Sequence, residues 1–116
     1  MTPYFIAEIG SNHNGDLKRA MALVEAASDC GFWGVKFQLF RIKTLFAPQA
    51  LKKHPELLER RRYEVPPRWL PILAKQAHSL GMTFGVTPCS LRAVSIAKPH
   101  VDFFKIGSYE AEWRQL

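Results

Sequence analysis

Two glutamates and two lysines, Glu8, Lys36, Lys105 and Glu110, stand at or just beyond the ends of short apolar runs. An unpaired charge taken out of water is costly or is neutralised by a shifted pKa, so such placements need a reason. Glu8 interrupts an apolar run that opens at Phe5 and leads into the polar loop Ser11–Gly15. Lys36 and Gln38 lie two residues apart within Trp33–Leu39, which puts them on one face of a strand, as it does Ile6 and Glu8. Thr87 closes a third run, and Lys105, Ser108 and Glu110 lie on or just after a fourth. Two lysines at one rim would create a strong anion-binding field, and a molecule carrying both phosphate and carboxylate would suit it. Gly107 would let backbone amides come close to a phosphate beside Ser108. The plainer alternative is a buried network in which Lys36 and Lys105 only balance Glu8 and Glu110.

Apolar runs alternating with amphipathic ones must position these groups. Strands are expected over Tyr4–Ile9, Trp33–Leu39, Met82–Thr87 and Val101–Ile106, the first of them buried on both faces. Asp16 caps a helix with apolar positions Leu17, Ala20, Met21, Val24 and Ala27, ended by Gly31. Pro66-Pro67 opens a second, with Trp69, Leu70, Leu73, Ala77 and Leu80 on its apolar face. Leu91–Ala97 reads as a short helix, and Glu110–Leu116 as the start of another. The charged connection Phe40–Val65 holds a short helix around Pro55–Arg62; connections of this length often form binding loops. Repeated strand–helix units argue for an α/β fold with right-handed crossovers and a parallel sheet. An open doubly wound sheet and a run of (β/α)8 barrel units both fit. Neither GxGxxG nor GxxxxGK[ST] follows the first strand, which weakens the nucleotide-binding open sheets. In a barrel, the C-terminal mouth is where catalytic side chains converge.

The 116 residues suffice for one small domain with a core, and 47% hydrophobic with 22% charged residues excludes a disordered chain. Neither a bilayer-spanning run nor a leader peptide is visible, so a cytoplasmic, non-membrane protein is expected. A net charge of +6 fits nucleic acid, an anionic substrate or mere solubility. No nucleic-acid motif accompanies it, and Arg60-Arg61-Arg62, interleaved with Glu56 and Glu59, reads as a solvated face. Cys30 and Cys89 lack metal or disulfide spacing and are expected as free, buried thiols.

The segments AEIGSNHNG (Ala7–Gly15), VKFQ (Val35–Gln38), TP (Thr87-Pro88) and FKIGSYE (Phe104–Glu110) resemble, in this order, the sialic acid synthase (NeuB-type) family. The resemblance covers nearly the whole chain. It implies a (β/α)8 barrel, of which these residues are about the first four strands, without the rest of the barrel or the small antifreeze-like domain. The implied activity condenses phosphoenolpyruvate with N-acetylmannosamine or a related sugar, releasing phosphate. By the same resemblance Lys36 and Lys105 hold the phosphate and carboxylate, while Gln38, Thr87 and Ser108 add contacts. Glu8 and Glu110 lie beside the reacting carbons, Glu8 as the favoured acid/base. A divalent cation, Mn²⁺ or Mg²⁺, and a homo-oligomer are also implied. The cation's histidines have no counterpart here: His13 would shape the first loop, and His54, His78 and His100 would be surface or packing residues.

Departures from the family pattern concern the sugar. Tyr109 stands where the family usually has the glycine of GSGE, and Cys89-Ser90 replaces the residues after TP. Pseudaminic and legionaminic acid synthases therefore remain alternatives. So do a Schiff-base aldolase acting through Lys105 and a non-catalytic half-barrel interaction module. A part of a longer enzyme is the favoured reading of the chain, with little activity expected of these residues alone.

Overall fold

Alternation along Gly34–Leu39 divides the sheet into two unlike faces. Val35, Phe37 and Leu39 are buried in the apolar core, while Lys36 and Gln38 point the other way, into an open cavity. The computed structural model describes residues 1–116. Its sheet runs β1 (Ile6–Gly10), β2 (Gly34–Leu39), β3 (Thr83–Pro88), β4 (Phe103–Phe104) in that spatial order, every pair parallel. Helices α1 (Leu17–Asp29), α4 (Leu70–Ser79) and α5 (Leu91–Ala97) follow the first three strands. Between β2 and α4 lie α2 (Ile42–Leu45), α3 (Pro48–Lys53), a 3₁₀ segment Pro55–Tyr63 and a 3₁₀ turn Pro67–Trp69. No helix is long and apolar enough to cross a membrane.

The core lies between the sheet and its helices. From α1 it takes Ala20, Val24 and Ala27, and from α4 it takes Leu70, Leu73, Ala74 and Ala77, at the spacing that puts them on one helical stripe. Phe84 and Val86 of β3 meet them from the sheet. Asp16 caps α1 as expected, accepting from the Lys18 and Arg19 amides, and Gly31 follows its C-terminus at φ 77°.

Several expectations need correction. β1 is an edge strand with an open inner face, so Ile6 is 40% exposed and only Ile9 and Gly10 are buried. Leu80 lies past the end of α4, off its buried stripe, and is exposed. The connection forms three short pieces: Pro48 and Pro55 each start one, and neither has an apolar stripe to extend along the core. The fourth strand is regular over two residues only, although the Asp102 and Lys105 amides still donate to Phe84 and Val86. Glu110–Leu116 is a chain of tight turns rather than a helix. Its amide bonds run from Glu110 to Gly107, Trp113 to Glu110 and Leu116 to Trp113, each three residues back. Cys30 is exposed and Cys89 half-buried; both are free.

Candidate active site

Register places the charges at one level of the sheet. Glu8 of β1 is the partner of Lys36 of β2, and Gln38 is the partner of Thr87 of β3. Just past Glu8 the register slips, with Ile9 as the extra residue of a bulge and Gly10 at φ 55°. A cavity of about 940 Å³ opens at this end of the sheet, in the size range of small-molecule sites. Glu8, Lys36, Gln38 and Thr87 line it from the first three strands. Lys105, Ser108 and Glu110 line it from the segment after β4. All seven residues singled out from the sequence therefore face one space. A second hollow of about 580 Å³, beside α1 and α4, has Lys75 as its only charged lining residue.

Lys36 is the most enclosed charge, 7% exposed. Its ammonium donates to Thr87 Oγ1 at 2.7 Å and is ion-paired with the Glu8 carboxylate, whose side chain remains 47% exposed. Half of the plainer alternative is thus present, since Lys36 does balance Glu8. The other half is not: Lys105 and Glu110 enter none of the ion pairs. The bare Cα of Gly107 faces Glu110, and a Cβ there would sit 2.5 Å from Oε2. That glycine makes room for a carboxylate. Cys89 also lines the cavity; burial, then the charge of Glu110, pushes its thiol pKa up, with Lys36 opposing. It is held as a neutral thiol and is a poor nucleophile.

The far wall comes from the β2–α4 connection, through Phe40, Ile42, Leu45, Phe46 and Arg60. Glu64 ties this wall down, accepting from the Ile42 amide at 2.9 Å and from the Arg41 guanidinium at 2.8 Å. His13 packs on the other side of the sheet, edge-on to Trp69 at 5.5 Å and tilted to Phe37 at 6.3 Å. Its Nδ1 accepts from the Gly15 amide at 3.0 Å, and burial lowers its pKa against an opposing pull from the Tyr63 backbone. Neutral His13 therefore shapes the first loop, as expected. Gly15, at φ 76°, lies so close to the Arg62 carbonyl that a Cβ would come within 2.6 Å of its oxygen.

Arg60 is exposed, as a solvated face requires, but it also borders the cavity. In a 3₁₀ segment residues three apart share a face, and Leu57, Arg60 and Tyr63 are so spaced. Leu57 and Tyr63 are half-buried; all three arginines are exposed, but Arg60 lines the cavity while Arg61 and Arg62 lie outside it. Only the period of three could have shown this, and it is visible once the segment is known to be 3₁₀. No group of three or more His, Cys, Asp or Glu side chains is placed to hold a metal ion. A divalent cation does not fit these residues alone.

The NeuB family model matches residues 23–116. The chain belongs to the NeuB family. An uncharacterized protein of Methanocaldococcus jannaschii is 36% identical over 110 residues, covering 90% of this chain and 30% of that relative. An N,N'-diacetyllegionaminic acid synthase of Legionella pneumophila is 56% identical over 45 residues, 39% of this chain and 13% of the relative. Among solved structures, the N-acetylneuraminic acid synthetase of Leptospira borgpetersenii, in complex with citrate, superposes with a TM-score of 0.83. It is 26% identical and covers 94% of this chain and 38% of that one. This chain thus spans about a third of the M. jannaschii relative's length. Its four parallel strands and covering helices are an incomplete portion of the α/β barrel of this family.

Proposed function

We infer that these residues form the phosphoenolpyruvate-binding part of a sugar acid synthase, which joins phosphoenolpyruvate to an N-acetylated sugar aldehyde. The observation that carries this is the convergence of Glu8, Lys36, Lys105 and Glu110 on one cavity at the C-terminal end of a parallel sheet. Lys36, oriented by Thr87, and Lys105 hold the phosphate and carboxylate; Gln38 and Ser108 add hydrogen bonds. The enol carbon attacks the aldehyde carbon, water adds to the resulting oxocarbenium carbon, and phosphate leaves with its bridging oxygen as the C–O bond breaks. Glu8, half-exposed and facing the cavity, is positioned to exchange a proton with the reacting groups, and Glu110 faces the same space. N-acetylmannosamine is the reference acceptor; the Legionella relative's name favours a diacetylated sugar as the alternative. The citrate complex of the Leptospira relative fits an anion-binding family site.

A divalent cation, Mn²⁺ or Mg²⁺, belongs to the proposal for the whole enzyme. Its ligands would come from outside these residues, and no step here runs through it. The cytoplasm is proposed as the setting, and a homo-oligomer as the assembly. β1 and β4 each present an unpaired edge to which further strands of the same or a second chain would add. The aldolase alternative is less well supported, because Lys105 is exposed rather than desolvated.

The test follows phosphate release from phosphoenolpyruvate by the whole enzyme that contains these residues, in oxygen-18 water with N-acetylmannosamine and Mn²⁺ present. Release should require the sugar, with the label in the sugar acid and none in the phosphate. Release without sugar, label in the phosphate, or a borohydride-trapped adduct on Lys105 would overturn the reading.

A further inference from the structure

The cavity holds three cations, Lys36, Arg60 and Lys105, and two anions, Glu8 and Glu110. Lys36 is already engaged by Glu8 and Thr87. Without Arg60 the strand-end charges cancel, and a phosphate monoester bearing a carboxylate would enter a site with no surplus positive charge. Arg60 supplies that surplus. Its guanidinium enters none of the ion pairs, whereas Arg41, in the same connection, is committed to Glu64. A planar guanidinium also offers paired donors matched to phosphate oxygens, which an ammonium cannot.

We propose that Arg60 is a third anion-binding residue, a clamp from the β2–α4 connection that closes on the phosphate group held by the strand-end lysines. This rests on the phosphoenolpyruvate reading above and adds to it a residue from outside the strands. The segment is held for the task on two sides: Glu64 anchors the connection near β2, and the Arg62 backbone is seated against Gly15. Arg61, exposed and outside the cavity, is the built-in control.

The experiment measures equilibrium binding of phosphoenolpyruvate and of inorganic phosphate by calorimetry, for the wild-type chain, Arg60→Gln, Arg60→Lys and Arg61→Gln, with thermal melts alongside. Arg60→Gln should weaken phosphoenolpyruvate by roughly tenfold or more. Arg60→Lys should recover part of the loss, and Arg61→Gln should bind as wild type. Since Arg60 is exposed and unpaired, all melts should coincide. Wild-type affinity in Arg60→Gln, or an equal loss in Arg61→Gln, overturns the clamp while leaving the phosphoenolpyruvate reading intact. Arg60-dependent binding of inorganic phosphate without binding of phosphoenolpyruvate overturns that reading and keeps the clamp. A wild-type chain that binds neither overturns both.

Discussion

Replacing Lys36 by Met separates a ligand-binding lysine from a structural counter-ion. The substitution keeps most of the side-chain volume and removes the charge from a position only 7% exposed. Three consequences for stability can be set against one another. The hydrogen bond to Thr87 Oγ1 has a charged donor, and its loss costs about 1.5–3 kcal/mol. Glu8 loses its partner but, with a side chain 47% exposed, it can hydrate, so this loss is far below the 3–5 kcal/mol typical of a fully buried pair. An apolar chain replaces a desolvated ammonium, which stabilises. The net change is a loss below about 3 kcal/mol by urea unfolding followed by circular dichroism. Binding responds differently, because a charge-assisted hydrogen bond to a phosphate contributes about 1.5–3 kcal/mol, or roughly ten- to 150-fold in Kd. Calorimetric titration with phosphoenolpyruvate should therefore show a large loss in a chain of modestly reduced stability. A stability loss above about 3 kcal/mol with unaltered affinity would reduce Lys36 to the counter-ion of Glu8 and refute the argument.

Two further predictions concern the frame around the cavity. Gly15→Ala should destabilise by about 1–3 kcal/mol, since it combines φ 76° with a Cβ driven to 2.6 Å from the Arg62 carbonyl oxygen; an unchanged melting temperature would contradict the close approach. Stability should also fall with acid in two windows. Burial lowers the His13 pKa, so the unfolded chain binds the proton first and stability declines as pH drops below about 6.5. Asp102 accepts from the Phe84 amide and contacts His78, contacts that hold its pKa below the usual value against the opposing effect of burial. Its contribution is present above about pH 4 and is lost as pH falls through the folded value. Asp102→Asn should flatten the lower window of a urea-midpoint profile and leave the upper one; loss of both would assign the pH response elsewhere.

The elements were legible where burial imposes a period. Ala20, Val24 and Ala27 on α1, and Leu70, Leu73 and Ala77 on α4, repeat at helical spacing because one stripe must meet the sheet. The alternation of Val35 and Phe37 with Lys36 and Gln38 likewise separated core from cavity. What misled was the sequence after Lys105 and in the connection, where no apolar stripe fixes a period. Glu110–Leu116 turns instead of coiling, and Pro55–Tyr63 repeats every three residues.

By itself the sequence determined the order of the four strands and of the helices that follow the first three, the residue types brought to the strand ends, and the family. Each of these is local, written in the spacing of neighbours along the chain. The partnership of Glu8 with Lys36 and Thr87, the freedom of Lys105 from any ion pair, and the turn of Arg60 into the cavity were decided only in three dimensions. Coulomb energy and hydrogen bonding depend on separations of a few ångströms between residues as much as 51 positions apart, and only the packed sheet sets those separations.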